Sequence, residues 1–137
     1  MDEWPLSAEE EARLLAEAWA YRDRAHAPYS KFLVGAALLV ESGEVVGGCN
    51  VECASYGAGV CAERTAVVAA VSLGFRRFRA IAIVTKAPAA TPPCGICRQF
   101  LAEFAPALPV LFTNGEETVR STLRELLPHQ FDASQLR

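Results

Sequence analysis

No continuous apolar stretch in this 137-residue chain reaches the length of a membrane span, although 52% of its residues are hydrophobic. That absence removes membrane-spanning helices from consideration. The start, Met1-Asp2-Glu3-Trp4, is acidic, and no apolar stretch of signal-peptide type follows it, so a cytoplasmic location is expected. Positive charge is in deficit as well: 13 Lys and Arg stand against 16 Asp and Glu, for a net charge of −3. A nucleic-acid footprint would show as clustered positive charge. The one basic cluster, Arg76-Arg77-Phe78-Arg79, is short and reads as a solvated loop after a helix. Neither nucleic acid nor a membrane is therefore an expected partner. Repeats, linkers and low-complexity segments are also missing, and the Pro/Ala-rich stretch from Ala87 to Pro93 reads as a loop. One domain over residues 1–137 is expected, with enough apolar content for a single core without disulfide staples. The five cysteines are an odd number, and a reducing cytosol does not sustain disulfides. Metal-binding, catalytic or core roles are the expectation for them.

What is present alternates between helical and extended patterns. Ser7-Ala8-Glu9-Glu10 is a capping box, and Leu14, Leu15, Ala18, Trp19 and Arg22 follow at helical spacing. The first helix is expected from Ala8 to His26, with Pro28 ending it. Phe32 to Val40 is apolar throughout and reads as a strand buried on both faces. Ser42-Gly43 turns it into a second strand, Val45 to Val51, in which Gly47 and Gly48 signal a bulge or a close backbone approach. A buried helix follows from Cys61 to Leu73, stopped by Gly74. A third strand runs from Arg79 to Thr85, a helix from Cys94 to Phe104, and a fourth strand from Pro109 to Thr113. After the turn at Asn114-Gly115, a fifth strand opens at Val119. Ser121 or Thr122 caps a last helix, Leu123 to Leu127. The alternation predicts an α/β three-layer sandwich: a mixed five-stranded sheet, a hairpin first and then parallel crossovers, with helices on both faces.

The chemistry concentrates in two short segments, Cys61-Ala62-Glu63 and, 33 positions after Cys61, Cys94-Gly95-Ile96-Cys97 preceded by Pro93. Cys61, Cys94 and Cys97 supply three thiolates. Three thiolates hold Zn²⁺ while leaving the fourth tetrahedral position open, the mark of a catalytic rather than a structural site. Glu63, two residues past the first cysteine, is placed to be the general acid/base beside that position. Both segments open helices, whose free N–H groups and partial positive charge stabilise thiolates. Three thiolates leave the centre with a net charge of −1, which needs further offset. Arg64 and Arg98 are candidates, and Arg64, able to donate to a ligand sulfur, is the stronger. With the charge offset, zinc lowers the pKa of water to about 7. Glu63 would take that proton, pass it to a ring nitrogen of the substrate and protonate the departing amine, releasing ammonia from an amidine-like carbon.

Blander accounts exist. A Cys-x-x-Cys pair alone occurs as half of a structural zinc site or as a redox pair. A redox pair needs neither a third cysteine nor Glu63. A closed structural site needs a fourth ligand, for which Cys49, Cys53 or His26 are available. The combination of both segments is far more specific than either half.

Along nearly its whole length the sequence resembles the small homotetrameric zinc-dependent cytidine deaminases. The resemblance rests on Ala27-Pro28-Tyr29-Ser30-Lys31-Phe32, Val34-Gly35-Ala36-Ala37-Leu38, Gly48-Cys49-Asn50-Val51-Glu52, Ala54-Ser55-Tyr56, Cys61-Ala62-Glu63-Arg64-Thr65-Ala66, Pro93-Cys94-Gly95-Ile96-Cys97-Arg98-Gln99 and Glu125-Leu126-Leu127-Pro128. It implies a hydrolase of pyrimidine salvage that converts cytidine and 2′-deoxycytidine to uridine and 2′-deoxyuridine, with one Zn²⁺ per chain. It implies that Asn50 and Glu52 hydrogen-bond the ribose 3′-hydroxyl, that Phe32 lines the nucleoside pocket, and that the backbone at Ala54 meets the pyrimidine. It also implies that Tyr56 lies near a subunit boundary and that Phe131 reaches a neighbouring subunit's pocket, so that a homotetramer shares its active sites. One departure is visible: the family usually reads Asn-x-Glu-Asn, and Cys53 stands in the second Asn position, as a small buried hydrophobe or a stray thiol. Cys49 is expected in the core, His129 on a surface loop, and His26 at the helix end. Two other functions compete. One is a related aminohydrolase acting on a cytosine antibiotic such as blasticidin S, against which Asn50 and Glu52 argue. The other is a non-catalytic zinc-binding module.

Overall fold

Ser7 starts the first helix through the reciprocal bonds its sequence announces. Its hydroxyl accepts the Glu10 N–H at 3.1 Å, and the Glu10 carboxylate accepts the Ser7 N–H at 3.0 Å. In this computed structural model, which describes residues 3–136, the helix α1 spans Ala8–Arg22. It stops four residues short of His26. His26 N–H donates to Asn50 O at 3.0 Å, and Glu52 N–H donates to His26 O at 2.8 Å, an extended pairing that helical backbone cannot make. Long-range pairing, not Pro28, ends the helix. His26 is exposed and lies beyond the helix end rather than at it.

Five strands follow: β1 (Val34–Val40), β2 (Val45–Cys49), β3 (Phe78–Thr85), β4 (Pro109–Thr113) and β5 (Thr118–Thr122). They form one sheet in the order β2-β1-β3-β4-β5. β1 runs antiparallel to both β2 and β3, β3 is parallel to β4, and β5 returns antiparallel to β4. β1 is buried on both faces, as its unbroken apolar run predicts. Ala36, Leu38 and Val40 face one core, and Ala37 and Leu39 face another built against Leu14 and Ala18 of α1. Phe32 and Leu33 fall outside the strand.

The helices α2 (Ala62–Ser72) and α3 (Gly95–Phe104) pack on one face of the sheet and α1 on the other, giving the expected three layers. Gly48 is where α2 meets the sheet. A Cβ there would stand 2.8 Å from Ala62 O and against Ala66 N, both helix backbone. One at Gly47 would enter the Tyr21 ring. The β1–β2 register is continuous, so these glycines serve close approach and not a bulge. A short helix α4 (Leu123–Leu126) ends the α/β part, with Thr122 Oγ1 accepting the Glu125 N–H at 3.3 Å.

The basic cluster is spent on local pairing. Arg79 lies in β3 and pairs with Glu10 at 2.8 Å, Arg77 faces Glu41 at 3.7 Å, and Arg76 donates to Val71 O at 2.8 Å. Among the described residues no helix is long and apolar enough to cross a membrane.

The topology positions the chemistry. β2 and β3 are both antiparallel to β1, so they run parallel to each other. Each is followed by a loop and then by a helix on the same face, and α2 and α3 therefore begin at the same end of the sheet. That end is the carboxyl end, where α/β sheets place their ligands.

Candidate metal centre

Cys61 is the N-cap of α2 and Cys94 the N-cap of α3, with Cys97 in the first turn of α3. Starting the two helices side by side brings their thiols together. The three Sγ atoms all lie within 4.8 Å of one another, and Cys61 Sγ is 3.8 Å from Cys94 Sγ. Cys97 is buried, Cys61 half-buried and Cys94 exposed, so the cradle is closed behind and open in front. Among the described residues this is the one group of three or more potential metal ligands, and Cys49, Cys53 and His26 are not in it. A closed four-ligand site finds no fourth member there. The donor set and its spacing fit zinc.

The electrostatics agree. Hydrogen bonding from Cys97, with Arg64 and Cys94 adding to it, brings the Cys61 thiol down to about 5 against the opposition of burial. Cys97 moves the other way, because it donates to the Cys61 sulfur and is buried. One thiolate is thus stabilised before any metal binds. Arg64 Nη2 lies 3.9 Å from Cys61 Sγ. Arg98 is committed elsewhere: its Nε donates to Pro93 O at 2.8 Å and its Nη1 to Leu126 O at 2.7 Å. Of the two arginines, Arg64 is the one placed beside a cradle sulfur.

Glu63 sits in the first turn of α2, 4% exposed. Burial pushes its carboxyl up to about 7, and the negative Cys61 acts in the same direction. A buried carboxyl with a raised pKa, two residues past Cys61, is equipped for general acid/base work.

A sequence model of the cytidine and deoxycytidylate deaminase zinc-binding region matches residues 8–113, covering α1 through β4 and all of the cradle. The chain belongs to the cytidine and deoxycytidylate deaminase family. Cytidine deaminase of Sporosarcina psychrophila is 45% identical over 126 residues, covering 90% of this chain and 93% of that protein. Cytidine deaminase of Halalkalibacterium halodurans is 46% identical over 125 residues, covering 90% and 95%. The crystal structure of cytidine deaminase from Burkholderia pseudomallei superposes with a TM-score of 0.86 at 43% identity, covering 92% of this chain and 100% of that one. This deaminase-family chain is accordingly a zinc-dependent hydrolase.

The residues that the family resemblance assigns to substrate lie outside the strands and α-helices. Asn50 and Glu52 lie past the end of β2, not on a continuous strand. Val51 between them pairs with Val60 in both directions at 2.9 Å, which ties this segment to the residue preceding Cys61. Asn50 uses its amide to bridge the entry to β1: Nδ2 donates to Phe32 O and Oδ1 accepts the Val34 N–H, both at 2.8 Å. Glu52 accepts the backbone N–H groups of Tyr29 and Ser30 at 3.1 Å and the Ser30 hydroxyl. Phe32 is 41% exposed rather than part of the core.

A groove of about 280 Å³ is lined by Tyr29, Ser30, Glu52, Cys53, Tyr56 and Gly59. The Tyr29 and Tyr56 rings tilt against each other with centroids 5.7 Å apart. Cys53 is exposed on this groove and is neither a buried hydrophobe nor a metal ligand. Cys49, at the end of β2, is half-buried, not in the core. Ala54 is exposed in the loop before a turn of 3₁₀ helix, Tyr56–Ala58. Phe131 is exposed, and its carbonyl is held by the Gln99 side chain at 2.8 Å. His129 is exposed, as expected. Three residues that the sequence does not mark as site residues, Gly59 and the pair Tyr29 and Ser30, line the groove; the pair is held from a distance. Their partner Glu52 is 22 to 23 positions away, so no local pattern signals the contact.

Proposed function

We propose that this protein removes the exocyclic amine of free cytidine and 2′-deoxycytidine by hydrolysis, consuming one water and giving uridine or 2′-deoxyuridine and ammonia. The observation that carries the proposal is the buried Glu63 carboxyl in the turn that follows the first of three convergent cysteines. Cys61, Cys94 and Cys97 would hold one zinc per chain. Zinc held there supplies Lewis acidity that makes water a nucleophile near neutral pH. Glu63 would take up the proton released from water and pass it to the pyrimidine ring nitrogen, then take the proton of the hydroxyl added at the amidine carbon and deliver it to the leaving amine as the carbonyl forms. Arg64 keeps the thiolate cradle from becoming so negative that it stops activating water.

The flanking loops select the nucleoside. Asn50 and Glu52 take the ribose 3′-hydroxyl, Phe32 forms a wall of the pocket, and the backbone at Ala54 meets the base. Tyr56 and Phe131, both exposed in the single chain, complete pockets across subunit boundaries in a homotetramer. The setting is pyrimidine salvage in the cytoplasm.

The test compares cytidine, 2′-deoxycytidine and blasticidin S as substrates, alongside binding of a hydrated-pyrimidine transition-state analogue. Efficient turnover of the two nucleosides and tight analogue binding are expected, because catalytic sites bind the transition state more strongly than the substrate. Preference for blasticidin S would reassign the substrate. No analogue binding and no turnover would make the zinc site structural.

A further inference from the structure

Lys31 is the one residue other than glycine with a backbone φ in the left-handed region among the described residues, at 62°. For a lysine this conformation is costly and persists only where the surroundings over-determine it. What holds it is the residue before. Ser30 makes three hydrogen bonds around this turn. Its N–H donates to Glu52 Oε1 at 3.1 Å, its hydroxyl donates to Glu52 Oε2, and its Oγ accepts the Phe32 N–H at 3.0 Å. The last two bonds are directional together. Because Oγ accepts from Phe32, its own proton is committed to Glu52. The chain Phe32 N–H to Ser30 Oγ–H to Glu52 carboxylate therefore ties an aromatic and a carboxylate through one hydroxyl. Ser30 and Glu52 both line the groove that Tyr29, Cys53, Tyr56 and Gly59 complete. The acidity of Glu52 is strengthened by the Ser30 hydroxyl first, then by the backbone N–H groups of Ser30 and Tyr29 and by the charge of His26, against the opposition of burial.

We propose that Ser30 is a positioning residue for the deamination reaction, fixing the Glu52 carboxylate and the Phe32 backbone in the geometry that receives the sugar of the nucleoside. This rests on the reading above that Glu52 meets the ribose 3′-hydroxyl. Ser30 touches neither the pyrimidine nor the cradle in this role. Its loss acts on KM and on discrimination at the sugar, leaving kcat and zinc content in place.

The test measures kcat and KM for the zinc-loaded wild type, Ser30→Ala and Ser30→Thr on cytidine and on 3′-deoxycytidine. The wild type is expected to prefer cytidine. Ser30→Ala is expected to raise KM for cytidine roughly tenfold, as for a lost hydrogen bond to a charged group, and to change KM for 3′-deoxycytidine little. Ser30→Thr, which keeps the hydroxyl, is expected to restore the preference. Equal discrimination by wild type and Ser30→Ala overturns the role of Ser30 and leaves the sugar reading intact. A fall in kcat of the same size on both substrates overturns it too, since a general structural defect is blind to the sugar. A wild type indifferent to the 3′-hydroxyl overturns the sugar reading and this proposal with it.

Discussion

Arg64 reaches back along α2 to place Nη2 3.9 Å from Cys61 Sγ, one helical turn away. The side chain is half-buried, and its Nε has no hydrogen-bond partner. A guanidinium is held against the cradle without being satisfied there, so its main contribution is charge. Arg64→Gln keeps much of the volume and removes the charge. A fall of 10- to 100-fold in zinc affinity or kcat is expected, about the usual size when a group hydrogen-bonded to a ligand is lost. Metal analysis with steady-state assays checks it. Arg98→Gln, whose parent side chain binds Pro93 O and Leu126 O, is expected to lose stability instead of lowering metal affinity through charge.

Glu63 carries a pH signature in the metal-free protein. Its folded pKa, about 7, lies above the unfolded value of 4.5, so the folded state holds the proton more tightly between the two. Stability from this group is therefore full below 4.5 and is lost as pH rises toward 7. Glu63→Gln removes that dependence. In chelator-treated samples the variant is expected to match the wild type near pH 4.5 and to exceed it by about 3 kcal/mol at pH 8. Urea unfolding at the two pH values measures the difference.

Gly48 sets how closely α2 approaches the sheet. A Cβ there meets helix backbone at Ala62 O and Ala66 N, which cannot rotate away. Gly48→Ala is expected to cost about 1–3 kcal/mol, as overpacking does, and to weaken zinc binding by shifting the turn that carries Cys61 and Glu63. Gly57→Ala, where nothing lies within 4 Å, is expected to change neither. Thermal unfolding and metal titration of the pair distinguish the positional effect from a general loss of glycine.

Asn50 joins Phe32 O to Val34 N–H, bridging the entry to β1 with one amide. Asn50→Ala loses both bonds, at about 1 kcal/mol each, and frees the loop that carries Phe32. Asn50→Asp keeps the acceptor for Val34 but places a carboxylate against Phe32 O. Both variants are expected to lower denaturant midpoints and raise KM for cytidine.

Local signals in the chain are legible in its sequence. The Ser7–Glu10 capping box, the doubly buried β1 and the opening of α2 and α3 at Cys61 and Cys94 depend on residues three or four positions apart, or on continuous apolar runs. The two cysteine segments announced the cradle because both fall at helix starts and α/β topology brings such starts to one end of the sheet. What escaped depends on partners far apart in sequence. The end of α1 at Arg22 is set by His26 pairing with Asn50 and Glu52. The Ser30–Glu52 clamp spans 22 positions, and the choice between Arg64 and Arg98 turned on Leu126, 28 positions beyond Arg98. Asn50 and Glu52 sit at the same parity and look like one strand face, yet β2 ends at Cys49 and both side chains turn to the Tyr29–Val34 loop.

The central claim is that Glu63 moves the protons while the three cysteines only hold the metal. The most direct measurement follows the ultraviolet change of cytidine on conversion to uridine, using zinc-replete wild type and Glu63→Ala with metal content determined for both. Turnover by the wild type, one zinc per chain in each protein and a loss of at least about 10²-fold in kcat for the variant is the result this account predicts. Full activity in Glu63→Ala would contradict it.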